Sequence, residues 1–162
     1  MLQTCILILA IISTCFPYTV LYLMAFKFPR TLKKYMSQET LITISFNMKI
    51  VEAIFTLPCL YQAKWNGDGL IIGIPLLFVG QYLNNLTAAI LGDGGIYYGI
   101  EMKTVKPRII VDFPFNIADP MYKGDIITII GIMFCFNSTK ELMIIGITWI
   151  FSIFYSIIVE NT

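Results

Sequence analysis

Three runs of this chain contain no charged residue: Met1 to Phe26, Gly69 to Gly92 and Leu142 to Val159. A helix needs about 20 apolar residues to cross a hydrocarbon core roughly 30 Å thick. Two of the runs exceed that length and the third approaches it. In lipid such a segment must satisfy its backbone polar groups internally, which a helix does. Composition agrees. Of 162 residues, 57% are hydrophobic and 13% charged, with a mean hydropathy of +0.79, against the ~25% charged residues of a soluble domain. The chain reads as an all-α, polytopic transmembrane helix bundle, with residues 1–162 forming a single membrane-embedded domain.

Five hydrophobic elements are expected: Leu2–Phe26, Leu41–Ala63, Gly69–Leu91, Ile126–Phe136 and Leu142–Val159. The first lacks a basic leader and outruns the ~7–15-residue core of a signal peptide, so it is read as a retained helix. The second carries Lys49 and Glu52, one helical turn apart. They can neutralise each other or serve a function, since charge inside a span is costly. The polar half of the third, with Gln81, Asn84 and Asn85, is expected to face other helices. The fourth is short: it borrows Met121 and Tyr122 and crosses, or it is re-entrant. That leaves four or five membrane elements.

Basic residues set the orientation. Lys27, Arg30, Lys33 and Lys34 follow the first element, and Lys103, Lys106, Arg108 and Lys123 follow the third, while only Lys64 separates the second from the third. By the positive-inside rule the first and third loops are cytosolic. Five crossings would then bring the Gly92–Gly99 cluster, the Asn116–Gly124 run and Glu160 together on the cytosolic face.

Several chemistries are set aside. The chain has no histidine, which removes histidine acid–base catalysis and the common zinc sites, and no metal is expected. Cys5, Cys15, Cys59 and Cys135 sit in apolar stretches without paired spacing and read as small core residues. A net charge of +1 points to no nucleic-acid partner.

Polar groups held at a membrane surface are the candidates for a site. Gly92, Gly94, Gly95 and Gly99, in LGDGGIYYGIE, remove side chains where a ligand can approach; helix packing or a helix terminus explains them equally. Tyr97, Tyr98 and Tyr122 lie near the interface, where aromatics anchor helix ends or hold a cation against a ring face. Asp119-Pro120 suits a helix start, with Asp119 as the N-cap. Asn116, Asp119, Arg108 and Lys123 are close enough in sequence to form a polar pocket. Glu160 ends the last apolar run.

The segment Phe113-Pro114-Phe115-Asn116, then Asp119, Pro120-Met121-Tyr122 and Gly124, resembles the signature of integral-membrane phospholipid N-methyltransferases. The likeness runs back through Arg108 and the glycine cluster to Gly80-Gln81. It implies S-adenosylmethionine as co-substrate, held by Gly92, Gly94, Gly95, Asn116, Pro120 and Glu160. It also implies a membrane phospholipid, phosphatidylethanolamine or its partly methylated forms, as acceptor on the way to phosphatidylcholine. Asp119 is then the candidate proton acceptor, with Tyr122 beside it, and Arg108 and Lys123 the candidates for the lipid phosphate. An endoplasmic reticulum or mitochondria-associated membrane would be home in a eukaryote. Two features depart from the family pattern: a single glutamate, Glu160, stands where the family has a pair, and Ile100 to Lys103 replace an aspartate-tyrosine-phenylalanine-glycine stretch. A prenylcysteine carboxyl methyltransferase and a catalytically degenerate scaffold remain the alternative readings.

Overall fold

Proline, glycine and a few capping side chains decide where the apolar stretches begin, bend and stop. The computed structural model describes residues 2–162. The first stretch is three helical pieces in line: α1 (Leu2–Phe16), a π-helical turn (Pro17–Leu21) and α2 (Tyr22–Lys27). Pro17 has no N–H to give its preceding turn, and the helix widens there instead of stopping. A short α3 (Pro29–Tyr35) follows, with proline in its first turn. The second span, α4 (Gln38–Ala63), starts where the Ser37 hydroxyl accepts from the Thr40 N–H at 3.2 Å, a side-chain cap. The third, α5 (Gly67–Ile96), is broken at Gly92, whose φ of +66° lies in the left-handed region that glycine adopts freely. The chain closes with α6 (Pro120–Cys135) and α7 (Lys140–Asn161). Among the described residues four helical stretches are long and apolar enough to cross a membrane: Gln3–Lys27, α4, α5 and α7.

The short fourth element does borrow Met121 and Tyr122, because α6 starts at Pro120. Its length is about 24 Å at 1.5 Å per residue, less than a full hydrocarbon core. It compensates by lying against α5 along most of its length. Glycines make that approach possible. A Cβ on Gly73 would meet the Gly131 carbonyl oxygen at 2.8 Å, and one on Gly80 would meet the Gly124 carbonyl oxygen at 2.6 Å. Small residues at such contacts let two backbones close up. The polar half of α5 faces this seam in part: Gln81 donates to Thr128 at 3.2 Å and Asn84 to Asp125, whereas Asn85 is exposed.

Both ends of the bundle are tied. At one end Gln3 donates to Gln62 at 3.1 Å, Trp65 stacks on Phe136 at 4.5 Å, and Asn66 N–H donates to the Cys135 carbonyl at 2.9 Å. At the other, Lys33 donates to the Met102 carbonyl and Gln38 to the Gly94 carbonyl, each at 3.0 Å. Gln3 and Glu160 therefore sit at opposite ends, and the chain passes through the bundle five times. The core around the second end combines Leu21, Ala25, Leu32, Leu41, Tyr97, Tyr98 and Met102. All four cysteines are free.

The glycine seam is testable. Gly73→Val should destabilise the protein by about 1–3 kcal/mol through overpacking, read as a lower unfolding temperature in detergent. Ile71→Leu, on a side chain 77% exposed, should leave it unchanged.

Candidate functional site

At the tied end that holds Glu160, the helices do not close on one another. They leave an open cavity of about 220 Å³. The first span contributes Tyr18, Tyr22 and Phe26, and α4 contributes Lys49. The α5 end and the loop after it add Thr87, Leu91, Gly95, Tyr98, Glu101 and Phe115. Asp119, Pro120, Tyr122 and Asp125 come from the start of α6, and Glu160 from the end of α7.

The break at Gly92 turns the chain so that Tyr97 and Tyr98 enter the bundle, where both are buried. Tyr98 and Asp119 have φ of +56° and +50°. Left-handed backbone costs a residue with a side chain of order 1–3 kcal/mol and persists where the surroundings enforce it. Both residues line the cavity. Around them the rings form a continuous wall: Tyr18 meets Tyr22 edge-on at 5.4 Å, Tyr22 lies 5.7 Å from Tyr98, and Tyr18 lies 6.4 Å from Tyr122.

Two carboxylates are fixed in this wall. Glu160 Oε1 accepts from the hydroxyls of both Tyr98 and Tyr122 at 2.5 Å, and those hydroxyls are 3.2 Å apart. Asp125 accepts from Asn84 Nδ2 at 2.5 Å on Oδ1 and from the Tyr18 hydroxyl at 3.2 Å on Oδ2. The Tyr98 phenol is pushed far above its ordinary range by burial first, then by Tyr122 and Glu160 beside it. It stays a neutral donor. Four acidic side chains, Glu101, Asp119, Asp125 and Glu160, face the cavity against one basic one, Lys49. Acidic and walled by aromatic faces, such a space suits a cation.

A family comparison adds to this geometry. The profile of the phospholipid methyltransferase family matches residues 69–162, which take in α5, α6 and α7. The chain belongs to the phospholipid methyltransferase family. A stretch of 58 residues is 38% identical to a phosphatidyl-N-methylethanolamine N-methyltransferase of Arabidopsis thaliana, covering 35% of this chain and 35% of that protein. The chain thus matches about a third of that relative's length. No solved structure matches it.

Of the residues that the sequence nominated in this family member, Gly95, Asp119, Pro120, Tyr122 and Glu160 meet at the cavity. Gly92, Gly94, Asn116, Arg108 and Lys123 stand outside its lining. Gly92 makes the break, with open space where a Cβ would be, and Gly94 packs against Val105. Arg108 donates to the Ile90 carbonyl, and Asn116 and Lys123 are exposed. Lys49 reaches the lining without Glu52, its neighbour one turn on. Three wall residues were not nominated. Tyr18 and Tyr22 are four apart, a spacing that puts both on one helix face, and Asp125 lies three after Tyr122.

Tyr98→Phe should lower stability by about 1.5–3 kcal/mol at neutral pH, the range for a hydrogen bond to a charged group. Because folding raises the Tyr98 pKa, its contribution is whole below the ordinary value of 10.0 and is lost as pH rises above it. Thermal unfolding at stepped alkaline pH should therefore fall less steeply for Tyr98→Phe than for the unsubstituted chain.

Proposed function

We propose that this chain transfers a methyl group from S-adenosylmethionine to the amine of a phosphatidylethanolamine-type headgroup, unmethylated or partly methylated. The observation that carries the reading is the acidic, aromatic cavity: its four carboxylates lie in the part of the chain that matches the family, and Tyr18, Tyr22, Phe26 and Lys49 close it from the part before. Methyl donor and acceptor are both cations, a sulfonium and an ammonium. Ring faces attract such groups by about 0.5–2 kcal/mol each, depending on desolvation.

The residues present suit the donor. Gly95 leaves its part of the wall without a side chain, Pro120 and Tyr122 are also in the lining, and Glu160 offers a carboxylate held by two phenols. When bound, S-adenosylmethionine supplies the methyl group that an amine lone pair displaces from sulfur. The protein's part is mostly positioning, which can remove several kcal/mol from a two-reactant barrier. Tyr122 holds Glu160 in place through its hydroxyl and presents its ring to the cavity. Asp119, at the left-handed start of α6, takes the proton that an ammonium must lose before its nitrogen can attack. That proton then leaves to water. The basic loops favour a cytosolic side for this end of the bundle by the positive-inside rule; a soluble donor then enters there, while the lipid arrives through the membrane. An endoplasmic reticulum or related membrane is the proposed compartment.

Calorimetry with S-adenosylmethionine tests the donor site. The detergent-solubilised chain should bind it, and Glu160→Gln should weaken binding about tenfold, the equivalent of ~1.4 kcal/mol. Equal affinity in both would remove Glu160 from the donor site, and no binding by the unsubstituted chain would end the methyltransferase reading. Asp119→Asn should bind the donor normally yet transfer methyl at least about 100-fold more slowly at neutral pH. An unchanged rate and pH profile would remove the proton-acceptor role.

A further inference from the structure

We propose that the arm of the cavity between α4 and α6 is a binding site for a zwitterionic phospholipid headgroup, with Lys49 taking the phosphate and Asp125 the ammonium. This deepens the methyltransferase reading by locating its acceptor, and it rests on that reading only for the acceptor's chemical fate.

The wall of the bundle is incomplete here. Among the described residues, α4 packs on α1 and α7 but makes no comparable packing along α5 or α6. The two helices α4 and α5 are tied only near their ends: by the short Lys64–Asn66 connection at one, and by Gln38 donating to the Gly94 carbonyl at 3.0 Å at the other. Between those ties α4 and α5 are not packed on each other, and the open cavity is lined from both, so lipid can reach it here. Lys49 of α4 stands on one side of the cavity there, with Thr87 and Leu91 of α5 on the other. Lys49 is about 16 Å along α4 from Gln38 at 1.5 Å per residue, so the opening faces the bilayer rather than bulk water.

Charge inside a span is retained only where something answers it. Asp125 is held by Asn84 and Tyr18, and Asn84 directs its amide N–H there while its own Oδ1 is buried without a partner. An unpaired buried carbonyl costs about 1–3 kcal/mol; turning the amide over would set that oxygen against the carboxylate instead. The groups acting on Asp125 are Tyr18 and Tyr22 from the first span, and Lys49 and Glu52 from α4. Lys49 is the one cation among them. Lys49 and Asp125 thus present one positive and one negative pole inside a space open to lipid. A phosphoethanolamine headgroup carries the same two poles across a short linker. Arg108 and Lys123, outside the lining, do not offer that pairing.

Native mass spectrometry of the full chain in non-ionic detergent, titrated with dioleoyl phosphatidylethanolamine or dioleoyl phosphatidic acid, tests the site without any methyl donor. Lys49→Ala should weaken both lipids about tenfold or more, the range for truncating one partner of a desolvated charge pair. Asp125→Asn should weaken phosphatidylethanolamine by a similar factor and spare phosphatidic acid, which has no amine. Asp125→Glu and Lys49→Arg should keep most of the affinity. Lys49 is exposed, so Lys49→Ala and Lys49→Glu decide the matter should Asp125→Asn not fold. Unchanged phosphatidylethanolamine binding in the Lys49 variants overturns the proposal, as does an equal loss for both lipids in Asp125→Asn. A chain that binds in the expected pattern but methylates no lipid keeps this site and loses the proposed function. Methylation with lipid binding indifferent to both residues does the reverse.

Discussion

A carboxylate inside a bilayer must find its donors within the protein, because hydrocarbon offers none. Glu160 finds two phenols, and Asp125 finds an amide and a third phenol. Those bonds join the end of α7, the start of α6, the middle of α5, the first span and the loop after α5. The positions of five segments of chain are thus fixed by two acidic side chains. What they enclose is an acidic space walled by rings, a lining that suits a cation, held by the same bonds that tie the bundle's end together.

The short α6 is what allows the carboxylates to be there. Paired with α5 through facing glycines, it reaches the Trp65–Phe136 end without being long enough to span alone. Its start is left within the tied end rather than beyond it. Tyr122 and Asp125, three apart on α6, and Asp119 just before it therefore enter the bundle together, with the proline of the first turn and the left-handed Asp119 at the point of entry. The broken end of α5 does the corresponding work for Tyr98. Close packing between α5 and α6 and its absence between α4 and α5 make a chamber packed on one side and open on the other.

Much of this was legible in the sequence. Uncharged runs located three of the four long spans, because a bilayer reads length and polarity and little else; α4 keeps Lys49 and Glu52 inside it. The Asp119-Pro120 pair marked the start of α6 through the proline, which acts through local backbone geometry; Asp119 stands at the N-cap position in left-handed backbone, but its side chain makes no capping hydrogen bond. Of the cavity's lining, the family likeness had nominated Gly95, Asp119, Pro120, Tyr122 and Glu160. Tyr18 and Tyr22 could not be read the same way: an aromatic in a span looks identical whether it faces lipid or a chamber. The glycine cluster was harder still. Gly92, Gly94 and Gly95 are neighbours in sequence, yet one breaks a helix, one packs on Val105 and one lines the cavity. Which does which depends on where α5 stops, and that is decided by contacts with Gln38 and Val105 from distant parts of the chain.

The central claim is that this chamber carries a methyl group from a sulfonium to a lipid amine. The most direct measurement incubates the purified, reconstituted chain with methyl-labelled S-adenosylmethionine and phosphatidylethanolamine, then its mono- and dimethylated forms, and separates the lipids by headgroup. The account predicts label in a methylated phospholipid, with the labelled species showing which steps the chain performs. Donor binding with no label in any of the three lipids would contradict it.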